Sequence, residues 1–234
     1  SAKECAEFAF NNSWKSRFDE IYGYIKKAVP LVSIIVLTYN NLEYNKLCIE
    51  SILEKTAYQN YELIIVDNNS TDGTREYLNK LIERKTDFLK VYLNNENIGF
   101  AGGNNLGIKN SSGKYVLLLN NDTIVSRGWV TSLVKHLEQN PDLGMIGPVT
   151  NSIGNEAKIN ANYNNIEEMN RFAYNYTLRH INERFENPRS LPMFCIMIKT
   201  DVIHKCGLLD ENYKIGMFED DDYAESVRTC GYRL

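Results

Sequence analysis

The sequence predicts an α/β fold in which a mainly parallel, Rossmann-like sheet is flanked by helices. Three observations carry that expectation. Short β-branched apolar runs recur, separated by stretches with helical spacing, which is the alternation of parallel-sheet proteins. The runs are continuous rather than alternating, as in strands buried on both faces. Several end in Asp, Asn or Thr, which puts polar side chains at the carboxyl edge of the sheet, where open α/β sheets bind ligands.

Taken in order, residues 1–30 carry Phe8, Trp14, Phe18, Ile21, Tyr22 and Ile25 near helical spacing and stop at Pro30. They are expected to form an N-terminal helical extension whose aromatic stripe serves packing. Val32 to Leu37 is the first strand, ended by Thr38-Tyr39-Asn40-Asn41, and a helix follows on Leu42, Leu47, Ile49, Ile52 and Leu53. Tyr61 to Val66 is the second strand, closed by Asp67-Asn68-Asn69-Ser70; Thr71-Asp72 offers an N-cap for a helix reaching about Arg84. Phe88 to Leu93 is the third strand. The glycine-rich stretch Asn97 to Ile108 turns into a short helix; it is not G-x-G-x-x-G and does not follow the first strand, which argues against a dinucleotide fingerprint. Val116 to Leu119, the fourth strand, runs into Asn120-Asn121-Asp122-Thr123. Ser126 is the expected cap of a helix with Trp129, Val130, Leu133, Val134 and Leu137 on one face, ended by Pro141. Leu143 to Pro148 is a short fifth strand. Residues 151–190 are polar, rich in Asn and Tyr, and weakly periodic around Met169, Phe172 and Tyr176. They read as a loop with a helical excursion, a place for a second substrate. Leu191 to Ile198 is strand-like again, and Asp201 to Gly207 is a short helix on which His204 reads as a surface or packing residue. Glu219-Asp220-Asp221-Asp222 opens a last helix with Tyr223, Val227 and Cys230 on one side.

Bulk properties narrow the function. A chain of 234 residues fits one large domain, or one with an extension, and can bury a substantial core. A formal net charge of -4 provides no basic field for nucleic acid or acidic lipid. The five cysteines (Cys5, Cys48, Cys195, Cys206 and Cys230) are odd in number and never spaced C-x-x-C. That argues against a disulfide framework or structural zinc and for a reducing compartment, hence a cytoplasmic protein, including the inner face of a membrane. No apolar run reaches membrane-spanning length. The chain begins without Met and stops straight after a helical pattern, so it is expected to be part of a longer protein with further domains, cut short at its C-terminus.

Two acidic positions invite chemistry. Asp122 brings a full negative charge to the end of the fourth strand, and a hard cation wants carboxylate oxygen. Taken alone, the same residues also suit a strand closed by an Asx turn. Acids in the first turn of a helix are favoured by its dipole, but four in succession also repel one another. Such crowding raises a carboxylate's pKa, which is one route to a general base.

The runs Ser33 to Asn40, Val66 to Thr74 and Asn97 to Asn104, followed by Leu119 to Asp122, Gly207 to Glu211 and Glu219 to Asp222, stand in one order and spacing. Together they resemble the inverting family-2 glycosyltransferases of the GT-A nucleotide-diphospho-sugar transferase fold, most closely their rhamnosyltransferase-like bacterial branch, over about residues 32–234. The resemblance implies a catalytic domain at 31–234, with a nucleotide-sugar-binding half at 31–125 and an acceptor-side half at 126–234. It implies that Thr38, Tyr39 and Asn40 lie beside the base and that Asp67 accepts a hydrogen bond from a base N–H. Asn69, Asn97, Gly99, Asn105 and Asn121 would line the nucleotide-sugar site. Asn120 stands where the family's D-x-D motif usually has its first Asp and would bond the ribose; Asp122 matches the acid that holds Mn²⁺ or Mg²⁺. Asp220, in the E-D pair with Glu219, would be the base, with Asp222 as the second choice. Ser226 falls where relatives often carry Arg. The implied reaction moves a hexose or deoxyhexose, with inversion, from a UDP- or dTDP-sugar to a hydroxyl of a glycan, lipid-linked glycan or protein, in bacterial cell-wall or surface-polysaccharide biosynthesis. Two other readings stand beside it: a nucleotide-sugar-binding module with weak turnover, and a nucleotidyltransferase. The latter would want a basic glycine-rich phosphate loop after the first strand, and Leu37 to Asn40 has none.

Overall fold

A computed structural model describes residues 2–185, 188–213 and 218–234. Among the described residues, six strands form one sheet in the order β3-β2-β1-β4-β6-β5. They are β1 (Val32–Thr38), β2 (Tyr61–Asp67), β3 (Leu89–Leu93), β4 (Tyr115–Asn120), β5 (Met145–Ile146) and β6 (Cys195–Lys199). The pairs β1–β2, β2–β3 and β1–β4 are parallel, as the sequence predicts, whereas β6 runs antiparallel to both β4 and β5. The sheet is therefore parallel through four strands and mixed at one edge.

Helices cover both faces, which is why the strands are apolar throughout. Ile34, Val36, Leu63, Ile65, Leu117 and Leu119 face α3 (Leu42–Lys55), α4 (Thr74–Ile82) and α6 (Trp129–Gln139). Their neighbours Ile35, Ile64, Val66, Val116 and Leu118 face α5 (Gly99–Lys109), α8 (Thr200–Cys206) and α9 (Glu219–Thr229). The glycine-rich stretch is explained by this packing. A Cβ on Gly103 would lie 2.3 Å from Leu37 Cδ1, and one on Gly107 2.5 Å from Ile35 Cγ2. The two glycines, one turn apart, let α5 press its backbone against β1.

Helix starts differ from the sequence expectation in two places. The first residue of α4 follows Gly73 (φ +96°), and Asp72 acts from outside: its Oδ1 accepts from Thr74 N while its Oδ2 accepts from Leu42 N at the head of α3. One carboxylate thus serves two helix N-termini. The start of α6 follows Gly128 (φ +83°) rather than Ser126, whose carbonyl accepts from Trp129 N.

The N-terminal extension is two helices, α1 (Ala2–Asn11) and α2 (Trp14–Ala28), because Ser13 restarts the chain with its hydroxyl accepting from Ser16 N. The expectation that its stripe packs is not met: Trp14 is 94% and Phe18 65% exposed. The carbonyls of Val29 and Pro30, where the extension meets the domain, accept from Asn60 Nδ2 and Tyr58 OH. The excursion in the second half is a single helix, α7 (Ile166–Arg179), with no buried residue. Among the described residues no helix is long and apolar enough to cross a membrane.

Candidate active site

The register sets the site. Thr38 pairs with Asp67, and Leu37 with Asn120, so three strand ends reach one edge together. From β1 the chain proceeds to β2 and β3 on one side and returns to place β4 on the other. The strand order reverses between β1 and β4, and ligands of open α/β sheets bind at that switch point.

On the β1–β2 side the edge is built from short polar side chains. Asp67 is fully buried; its carboxylate accepts from Thr38 Oγ1 (2.9 Å), Ser70 N (2.9 Å) and the Ser70 hydroxyl, with Arg75 Nε 3.9 Å away. The residue expected to read the base therefore has both oxygens engaged within the turn. Asn40, Asn41 and Asn69 adopt left-handed φ of +53°, +61° and +66°, a conformation that Asn tolerates better than most residues. Hydrogen bonds hold Asn40 there: its N donates to Ser70 Oγ, its Oδ1 accepts from Thr71 N, and its carbonyl accepts from Asn45 Nδ2. Tyr39, 48% exposed, stands out from the same turn. Asn69 Oδ1 accepts from Arg75 Nη1.

The two expected residues at the head of α5 are drawn together by the buried Asn68. Its Nδ2 donates to Asn97 Oδ1 and to the carbonyl of Gly99, which has φ +80°. Asn105 has a different place from the one expected of it. It is 1% exposed, its Nδ2 donates to Leu209 O and Glu211 Oε1, and its Oδ1 accepts from Leu209 N. It fastens α5 to the loop that leads toward the acidic cluster.

On the β4 side, Asn120 donates its backbone N–H to Phe194 O, and its carbonyl accepts from Thr123 Oγ1. The side chain of Asn121 turns inward and donates to Asn45 Oδ1 at 2.6 Å. Asp122 is left exposed at the edge. Among the described residues no three His, Cys, Asp or Glu side chains converge as a metal site. A hard cation at this edge would therefore need further oxygen ligands beside the Asp122 carboxylate.

Asn45 was not among the residues expected at the site. The signal for it is positional: Asn45, Cys48 and Ser51 recur every three residues on α3 beside the buried Ile49 and Ile52. Three polar residues on a core-facing helix surface need partners.

The acidic cluster opens α9. Glu219 is buried and its Oε2 accepts from Phe218 N, Asp220 is partly buried, and Asp221 is exposed. Burial first, then the neighbouring charges of Asp221 and Glu219, hold the Asp220 carboxyl above the usual aspartate range, against backbone hydrogen bonds that lower it. Asp222 is also partly buried, and its backbone N donates to Phe218 O within the first turn.

A cavity of about 480 Å³ lies apart from these residues, between α6, α7 and the segment from Gly147 to Tyr163. Rings of Tyr163, Phe172, Tyr176 and His180 follow one another along it, with successive centroids 5.9, 5.9 and 4.2 Å apart. Its wall includes Ile124, Ser126 and Arg127, just after Asp122, and Leu191 and Pro192, just before β6. None of the expected site residues lines it.

Comparison with known proteins now applies to this geometry. The profile "Glycosyl transferase family 2" matches residues 33–207. An "Uncharacterized glycosyltransferase" of Haemophilus influenzae is 36% identical over 118 residues, 50% of this chain and 36% of that protein. "Glycosyltransferase GlyA" of Streptococcus pneumoniae is 26% identical over 198 residues, 82% of this chain and 27% of its own length. The chain thus spans about a third or less of these curated relatives. Among solved structures, the mannosyltransferase PcManGT of Pyrobaculum calidifontis in complex with GDP-Man and Mn²⁺ superposes with a TM-score of 0.66 at 21% identity, over 91% of this chain and 60% of that one. GalNAc-T7 with UDP, GalNAc and Mn²⁺ gives 0.68 at 14% identity, over 88% and 42%. At such identities these two likenesses show the fold.

Proposed function

The chain belongs to glycosyl transferase family 2 and has the GT-A fold, and from that premise we propose that it transfers a sugar, with inversion, from a nucleoside-diphosphate sugar to an acceptor hydroxyl. The observation that carries the reading is the meeting of Thr38, Asp67 and Asn120 to Asp122 at the switch point of the sheet. A UDP- or dTDP-sugar would lie across that edge, its base toward Tyr39, Asn40 and the Asp67 turn and its diphosphate toward Asp122. Asp122 would hold a divalent cation, and that cation would supply neutralisation of the charge that develops on the leaving group. The similar structures contain Mn²⁺; Mg²⁺ has the same oxygen preference.

Asp220 is the proposed base. Its raised pKa brings it closer to the acceptor hydroxyl's needs than an ordinary aspartate, and it would take the proton as that oxygen attacks. A single displacement inverts the anomeric carbon, so no second carboxylate is needed as nucleophile. Asp222 is the alternative base. The acceptor is proposed to approach from the 126–234 half, where the ring-lined cavity opens beside the segment after Asp122. A glycan, a lipid-linked glycan and a protein all present a suitable hydroxyl, and a role in bacterial surface-glycan synthesis follows from the family resemblance. A nucleotide-sugar-binding module with weak turnover is the second reading, favoured by an amide, Asn120, where the family's D-x-D motif usually has its first Asp.

The test is a thermal-shift screen of UDP, dTDP and GDP and their sugars with and without Mn²⁺, followed by donor hydrolysis. We expect Mn²⁺-dependent stabilisation by one nucleotide class, about 2.7 kcal/mol at a hundred times its Kd. Stabilisation without sugar release would leave the binding module; no stabilisation by any nucleotide would overturn both.

A further inference from the structure

The sequence places Asn45 one turn into α3, where an apolar residue would satisfy the core. Instead this fully buried amide bonds three separate segments. Its Nδ2 donates to Asn40 O (2.7 Å) in the strained turn after β1 and to Thr74 Oγ1 (2.9 Å) at the start of α4. Its Oδ1 accepts from Asn121 Nδ2 (2.6 Å), the residue before Asp122. Two more side chains continue the row along α3. Cys48 Sγ donates to Asn120 O at 3.5 Å, its thiol kept protonated by burial, which pushes its pKa up to about 12. Ser51 Oγ accepts from Val125 N at 3.1 Å. The segment Asn120 to Val125 is therefore fastened to α3 at three points, and only the first also reaches the β1 and β2 turns.

We propose that Asn45 is a positioning residue that fixes Asp122 relative to the base-side turn of the same cleft. The proposal rests on Asp122 being the carboxylate that meets the cation. Its physical content is a constraint on direction. Holding the Asn121 amide inward leaves the next side chain, Asp122, facing outward at the edge. The same amide holds the Asn40 carbonyl, so base side and phosphate side are kept in one rigid relation. Partners that orient a metal-binding side chain commonly matter 10–100-fold for metal affinity when removed. The burial of the Asn45 amide is offset by the hydrogen bonds it makes, so losing a partner leaves a costly unpaired group.

The test compares Asn45→Ala, Asn121→Ala and Ser51→Ala with wild type. The reading is the ratio of nucleotide affinities with and without Mn²⁺, measured by calorimetry with whichever of UDP and dTDP binds wild type more tightly. Asn45→Ala and Asn121→Ala should each reduce the Mn²⁺-dependent gain by about 10-fold or more, and the double variant should lose no more than Asn45→Ala alone, because that variant already removes the bond to Asn121 along with those to Asn40 O and Thr74 Oγ1. Ser51→Ala removes a bond at the far end of the row; it should lower Tm and leave the gain unchanged. If Asn45→Ala fails to fold, Asn121→Ala, whose side chain is only partly buried, reads the same bond. A Mn²⁺ gain that survives both substitutions, or that Ser51→Ala reduces equally, overturns the proposal. A wild-type protein that binds the nucleotide with no Mn²⁺ gain overturns the assignment of Asp122 itself, a different result.

Discussion

At the scale of single residues, Asp220, the proposed base, would couple chemistry to stability in opposite directions. Its pKa is raised in the folded state, first by burial. A group whose folded pKa lies above its unfolded value stabilises the fold only below the unfolded value, and that contribution is lost as pH rises through the folded one. At neutral pH the ionised carboxylate is therefore held at a cost. Asp220→Asn should raise Tm at pH 7 while lowering kcat by about 10² to 10⁴, the usual contribution of a general base, with nucleotide affinity unchanged by calorimetry. Asp221→Asn removes a neighbouring charge that raises that pKa, so the acid limb of the kcat/KM profile should move to lower pH. A profile unmoved by Asp221→Asn, with Asp220→Asn still active, would transfer the role to Asp222. Residues at strand ends were legible, since a buried apolar run has a visible terminus and Asp67 and Asp122 stand at two of them. The partners of Asn45 and Asn105 were not legible: their amides bond groups 76 and 104 positions away, and local pattern carries no trace of such pairing.

At the scale of elements, the glycine-rich helix shows how one composition suits two readings. Gly99 has a positive φ and meets Asn68 near the site, but Gly103 and Gly107 serve close packing on β1. Gly→Ala within a helix gains about 1 kcal/mol of propensity. At Gly107 the added Cβ would meet Cγ2 of the fully buried Ile35 at 2.5 Å, and overpacking of that kind costs about 1–3 kcal/mol. Gly107→Ala should therefore lower Tm on balance. Gly23→Ala, on α2 with nothing within 4 Å of its Cβ, should not. Equal behaviour of the two in thermal melts would show that α5 can shift off the sheet. The existence of the parallel strands and of their helices could be read from periodicity. The direction of β6 could not: it depends on the path the chain takes through α7, not on residues within the strand. The cap of α6 was misplaced because Ser126 has a capping side chain, while the turn itself needs the left-handed φ that Gly128 supplies.

At the scale of the whole molecule, the N-terminal helices and the sheet with its flanking helices answer to different forces. Among the described residues, both core clusters draw their side chains from Val29 onward. The amphipathic spacing of Trp14, Phe18, Ile21 and Ile25 was legible as a helix, but spacing alone says nothing about what covers the stripe, and here the domain does not. Exposed aromatic surface of this kind favours association over solubility. Deleting residues 1–28 should leave the domain's Tm and its nucleotide affinity unchanged, because the anchoring bonds at Val29 and Pro30 remain. It should also reduce concentration-dependent self-association in sedimentation. A deleted chain that melts lower would mean that the stripe packs against the domain after all, and the aromatic residues would then belong to the core that the helical spacing first suggested.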